Sequence, residues 1–133
     1  MAMFSNIAIS ASGLTAERVR TDVIAQNLAN ANTPGYQRQV TWLSANPLAF
    51  SQTMGQAGGG VRVVGVTPDG APERLVYDPN NPQANAQGYV AMPNVNPVTE
   101  MTDLITASRA YEANATALNT SKTMFQRTWD ILR

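Results

Sequence analysis

The chain contains no cysteine and no histidine. Without cysteine there is neither a disulfide framework nor a thiolate, and the redox compartment leaves no mark on the sequence. Without histidine the commonest general base and the commonest metal ligand are both missing, so any chemistry falls to carboxylates and amides. Charge of one sign is absent as well. Nine basic residues balance nine acidic ones with no run of like charge, which speaks against a nucleic-acid surface or an anionic membrane patch. A formal charge of zero instead favours association. No apolar run approaches the ~20 residues of a membrane span, so direct membrane insertion is not expected. The N-terminus has no Lys or Arg before Arg18, so the charged start of a secretory signal is missing. Export, if it occurs, is expected by another route.

Proline and glycine are scarce where they matter most. All eight prolines lie between Pro34 and Pro97, and of nine glycines only Gly13 falls outside the span from Gly35 to Gly88. The ends are free to be helical and the middle is not. The expected fold is mainly α. An N-terminal helix over residues 1–33 and a C-terminal helix over 96–133 pair as an antiparallel coiled coil, and 34–95 form an irregular middle with short β-strands.

The C-terminal segment carries the clearest pattern. Met101, Leu104, Ser108, Tyr111, Ala115, Leu118, Lys122, Phe125, Trp129 and Leu132 are each three or four residues apart, the spacing of a helix that packs along its length against another. Asn96 is a candidate cap and Pro97 suits the first turn. Glu100 and Asp103 suit the positive end of the helix dipole, and Arg127 and Arg133 the negative end. At 1.5 Å per residue the helix is roughly 50 Å long. A rod of that length needs a second long helix.

Residues 4–28 supply the candidate. Ile7, Ala11, Leu14, Arg18, Thr21, Ala25 and Leu28 repeat the spacing, with Val19, Val23 and Ile24 widening the apolar face. Arg18 and Thr21 interrupt it. A polar residue in a seam fixes register or partner choice, while the plainer reading of Arg18 is a head that reaches solvent. The helix should end at Asn30-Ala31-Asn32-Thr33-Pro34-Gly35-Tyr36, because proline disfavours a helical Thr33 and Gly35 accepts a tight turn.

In the middle, Trp42, Leu48 and Phe50 are isolated apolar residues, and 51–60 reads as a flexible linker ending in three glycines. Strand candidates are 61–66, 75–77 and 89–92, enough for a hairpin or a three-stranded sheet. Glu100 and Asp103 lie three apart on one helical face, as a paired-carboxylate site requires, but their place at a helix N-terminus explains them without chemistry. Asp78-Pro79-Asn80-Asn81-Pro82 lacks the ligand spacing of a calcium loop, and Gly58-Gly59-Gly60 lacks the lysine of a phosphate loop. No metal, cofactor or small-molecule substrate is expected. Two helices alone leave much apolar surface wet, and Val19, Val23, Ile24, Ile105 and Ile131 lie off the main seams. Other chains must cover them. If one surface repeats head-to-tail without closing, the product is a filament or tube.

The stretch Asn27-Leu28-Ala29-Asn30-Ala31-Asn32-Thr33-Pro34-Gly35-Tyr36, at the end of an amphipathic helix, resembles the signature of the bacterial flagellar axial family of rod, hook and hook-associated proteins. Arg74-Leu75-Val76-Tyr77-Asp78-Pro79, Gly88-Tyr89-Val90-Ala91-Met92-Pro93-Asn94-Val95-Asn96, Glu100-Met101 and Ala107-Ser108-Arg109-Ala110-Tyr111-Glu112-Ala113-Asn114 are similar to its proximal-rod branch, which the short length also fits. Residues 37–60 match nothing in that pattern. The resemblance implies a non-enzymatic structural subunit of the rod that carries torque across the periplasm, exported without a cleaved signal by the flagellar type III apparatus. It implies terminal helices paired as an antiparallel coiled coil. Its implied partners are further copies, other rod proteins, and the membrane-ring and rod-base adaptor proteins. Asn27, Asn30, Asn32, Thr33, Pro34, Gly35 and Tyr36 are then expected to form an elbow between the inner helix and the outer segment. Packing within and between subunits is expected at Ile7, Leu14, Val19, Val23, Ile24, Leu28, Met101, Leu104, Ile105, Tyr111, Leu118, Phe125, Trp129 and Leu132. Two other readings share some of these features: a secreted helical adaptor or effector of a type III system, and a small carboxylate hydrolase resting on Glu100 and Asp103 alone.

Overall fold

The ends poor in proline and glycine are helical. Helix α1 spans Ala2–Ala29 and α2 spans Pro97–Ile131 in the computed structural model, which describes residues 2–46 and 59–131. Asn96 caps α2. Its Oδ1 accepts from Val98 N–H at 3.0 Å and its carbonyl accepts from Glu100 N–H at 3.0 Å, while Pro97 occupies the first helical position, where an N–H would have no partner. Helix α1 stops where Pro34 forbids a further turn and Gly35, at φ 75°, reverses the chain.

The two helices pair antiparallel, and two contacts set the register. A Cβ on Gly13 would stand 2.9 Å from Asn114 Nδ2, and Asn27 Nδ2 lies 3.4 Å from Glu100 Oε2. Between these contacts both helices advance by fourteen residues, or two heptads, which sets residue 20 opposite residue 107. Continued to Ala2, the register ends near Phe125. The last part of α2 extends past its partner, and Trp129 there is 62% exposed, its ring edge-on to Phe125 at 5.8 Å.

This corrects the frame of the seam. On α2 the face against α1 is centred on Glu100, Ala107, Ala110 and Asn114, with Leu104, Ala115, Leu118 and Phe125 half-buried at its margin. Met101, Ser108, Tyr111, Lys122 and Trp129 are exposed. On α1 the covered residues are Ala16, Val23, Ile24 and Asn27, whereas Ala11, Arg18 and Ala25 face solvent and Thr21 returns its hydroxyl to Glu17 O at 2.8 Å. The physical reason is close approach. Small residues let the two backbones come together, and a hydrophobicity pattern passes over them in favour of larger side chains.

The middle holds four strands in two antiparallel pairs: β1 (Gln39–Ala45) with β2 (Val61–Pro68), and β3 (Arg74–Tyr77) with β4 (Tyr89–Met92). Three of the four coincide with expected strands; β1 was not expected. It carries a register shift between Trp42 and Leu43, which spoils strict alternation. The β1–β2 hairpin lies along α1, where Ser12 Oγ accepts from Val61 N–H at 3.1 Å and sits against Gly60, whose φ is 109°. The linker expectation for 51–60 falls, except for Gly59 and Gly60, outside the described residues, as do Leu48 and Phe50.

Candidate functional site at the helix elbow

A polar side chain in a helix seam must find every partner inside the protein. Asn27, 1% exposed in the last turns of α1, meets that demand by treating Gln39 as a neighbouring strand. Its Nδ2 donates to Gln39 O at 2.8 Å and its Oδ1 accepts from Gln39 N–H at 2.8 Å. The Tyr36 hydroxyl donates to the same Oδ1 at 2.9 Å, and the second Nδ2 hydrogen points to Glu100. One amide thereby ties the end of α1 to the turn, to the first residue of β1 and to the first turn of α2.

Glu100 is the charged centre of this knot and is also 1% exposed. Its Oε1 accepts from Arg38 Nε at 2.7 Å, and the same guanidinium reaches Asp69 Oδ2 through Nη1 at 3.0 Å. Asp69 N–H also donates to Arg38 O, so backbone and side chain both close the base of the β1–β2 hairpin. Burial lowers the affinity of Arg38 for its proton, but the bonds and charges of Glu100 and Asp69 outweigh it and leave the guanidinium held more firmly than usual. Tyr36 is pushed above the ordinary phenol value, first by burial and then by the charge of Glu100. On the far side of the turn, Gly35 N–H donates to Ala91 O at 3.2 Å and draws the elbow onto β4. Beside the knot an open groove of about 270 Å³ runs between β1 and the helix pair, with Arg20, Val23, Ile24, Thr41 and Asp103 among its walls.

Two family models match the chain, "Flagella basal body rod protein" over residues 5–37 and "Flagellar basal body rod FlgEFG protein C-terminal" over 86–131. The first range holds Asn27 and Tyr36 and the second holds Glu100, while Arg38, Gln39 and Asp69 lie between them. Full-length relatives join them. The chain is 42% identical to the flagellar basal-body rod protein FlgC of Bacillus subtilis (strain 168), with 98% of this chain and 99% of that protein covered. It is 44% identical to FlgC of Salmonella typhimurium (strain LT2), with 96% of each covered, and 40% identical to FlgC of Borreliella burgdorferi, with 100% and 99% covered. The chain belongs to the FlgC family of flagellar basal-body rod proteins.

Within this FlgC-family chain the expected elbow residues divide. Asn27, Gly35 and Tyr36 make the connections just described. Asn30 closes the helix end through Nδ2 to Gln26 O at 2.9 Å, and Thr33 donates its N–H to Asn30 O at 3.0 Å. Pro34 is half-buried and Asn32 is exposed. Of the expected packing residues, Val23 and Ile24 are buried, and Ile7, Leu14, Val19, Leu28, Leu104, Leu118 and Phe125 are half-buried. Met101, Ile105, Tyr111 and Trp129 are exposed, and Leu132 lies outside the described residues. Arg38, Gln39 and Asp69 are not singled out by the sequence, and Glu100 is singled out there as a residue suited to the helix dipole or as half of a carboxylate pair, not as a buried partner of Arg38 and Asn27. The signal that reaches Glu100 is its seven-residue spacing from Ala107 and Asn114, which places a carboxylate on the covered face.

Proposed function

We infer that this basal-body rod protein assembles by burying the apolar stripe that α2 turns away from α1. Val98, Met101 and Ile105 lie at helical spacing, roughly opposite Ala107 at 100° per residue. All three are exposed, Ile105 at 55%. A long helix already satisfied on one face and apolar on the other is built to be covered by neighbours. Partners of this kind are further copies and other rod proteins. The proximal position in the rod, the transmission of torque, the contacts with the membrane-ring and rod-base adaptor proteins, and export through the flagellar type III apparatus without a cleaved signal belong to the same reading. The sequence resemblance supports them. No helix among the described residues is long and apolar enough to cross a membrane.

The reading includes no catalysis. Glu100, which a carboxylate hydrolase would need, is sealed from solvent and spends both oxygens on Arg38 and Asn27. Near full-length similarity to rod proteins likewise favours a rod subunit over a secreted adaptor.

Replacing Ile105 by Asp tests the central claim. An exposed substitution of this type should change the stability of the isolated chain by no more than about 0.5 kcal/mol. In cells that carry only the variant, basal bodies should lack a complete rod and swimming should be lost. Normal swimming with Ile105→Asp would refute assembly through this face.

A further inference from the structure

The groove beside β1 has a wall of peptide groups as well as side chains. In an antiparallel ladder, alternate residues direct both N–H and C=O away from the partner strand. Gln39 does so, since both of its groups are bonded by Asn27, so Thr41 directs its own pair to the same edge. The closure at Arg38 and Asp69, where Asp69 N–H donates to Arg38 O, agrees with this phase. Asn27 thus stands where a neighbouring strand would run, but only for one residue. At Thr41 the edge continues along the groove, and Thr41 Oγ1 is buried with no hydrogen-bond partner. The charged groups of the walls are already matched, Arg38 with Glu100 at 2.7 Å and Arg20 near Asp103 at 4.0 Å, so nothing there selects an ionic ligand. An uncharged peptide edge suits this open strand edge.

The same chain has a strand of the required kind. The outer edge of β4 is occupied, because Tyr89 N–H donates to Asn85 Oδ1, Tyr89 O accepts from Asn85 N–H, and Ala91 O is held by Gly35 N–H. By the register Leu75↔Ala91 and Tyr77↔Tyr89, the outward-directed residues of β3 are Leu75 and Tyr77. No strand pairs with that edge among the described residues, and the two side chains are 64% and 65% exposed.

We propose that the open edge of β3 from a second copy of this chain enters the groove and pairs with β1 at Thr41. The contact joins two different surfaces of identical chains, so it is heterologous and propagates instead of closing on itself. It rests on the reading of the chain as a rod subunit, and adds to it a specific edge-to-edge contact separate from the helix stripe.

Two experiments test it. The chain has no cysteine, so Thr41→Cys and Leu75→Cys combined in one chain and oxidised in isolated basal bodies should give a ladder of cross-linked copies. Thr41→Cys or Leu75→Cys alone should give none. A cross-link to a protein of different mass would overturn the second copy as occupant, and assembled rods with no cross-link would overturn the strand contact while leaving the rod reading intact. In the isolated wild-type chain, the amide of Thr41 should exchange at least about tenfold faster than those of Val40 and Trp42, and it should become protected in assembled rods. Equal protection of the three in the isolated chain, or continued fast exchange of Thr41 in rods, would contradict the proposal.

Discussion

At the elbow end of the helix pair, Asn27 and Glu100 are sealed from water and each spends its hydrogen-bonding groups on a different part of the chain. Midway along the pair Gly13 lies against Asn114, and toward the far end Phe125 has the ring of Trp129, from its own helix, as a neighbour. One end is specified by polar groups that accept only one arrangement. The other is specified by shape and leaves large apolar groups outward. The difference teaches where the chain satisfies itself and where it leaves apolar surface open: the elbow completes its own bonding, while the outer face of α2 and its overhang keep large apolar groups exposed.

The largest test of this contrast is Glu100→Ala. Breaking a buried ion pair by removing one partner costs about 3–5 kcal/mol. Arg38 keeps Asp69 and is only a quarter exposed, so a loss near the lower end, about 3 kcal/mol, is expected in urea denaturation of the isolated chain. Glu100→Gln, which retains an acceptor for Arg38, should lose less. If Glu100→Ala costs no more than an exposed substitution, the elbow is not the specified end.

That test concerns a residue whose position was legible and whose role was not. The helices, their capping by Asn96 and their interruption at Pro34 follow from where proline, glycine and asparagine fall, because those signals are local. Strand β1 was hidden because its partner β2 is distant in sequence and because its register shifts in mid-strand. The seam was found in kind but displaced in frame, since the covered face of α2 is led by Ala107, Ala110 and Asn114 while Met101 and Ile105 point outward. A pattern that ranks positions by hydrophobicity finds the apolar stripe, and in this chain much of that stripe faces away from the intramolecular partner. The role of Glu100 depends on Arg38, which lies 62 residues away and is brought near only by the turn at Gly35.

Tyr36→Phe sharpens the comparison at intermediate magnitude. It removes the hydroxyl that donates to Asn27 and should cost about 1 kcal/mol near neutral pH. The phenol of Tyr36 is raised above its ordinary value of 10.0, first by burial and second by Glu100. The unfolded chain therefore gives up this proton at lower pH than the folded chain does. The stabilisation from the neutral hydroxyl is complete below the ordinary value and is lost as pH rises through the folded one. The stability difference between wild type and Tyr36→Phe should consequently be constant from neutral pH to about 9 and shrink above 10. A difference that grows at alkaline pH would contradict the placement of Tyr36 beside Glu100.

The smallest expected effect probes the helix contact away from the elbow. Gly13 lies inside α1, where alanine would add about 1 kcal/mol of helix stability if nothing opposed it. The added methyl meets Asn114 Nδ2 at 2.9 Å and Cγ at 3.1 Å, so the amide of Asn114 must move. Gly13→Ala alone should then be nearly neutral, the gain in α1 offset by displacement at the helix contact. Adding Asn114→Ala clears the space, and the double variant should be more stable than Asn114→Ala by about the full 1 kcal/mol. The coupling between the two substitutions thus measures whether the helices touch at this point in the isolated chain. If Gly13→Ala by itself brings the whole gain, the helices are apart there in the isolated chain, and the contrast between a closed elbow and a looser remainder of the pair becomes sharper still.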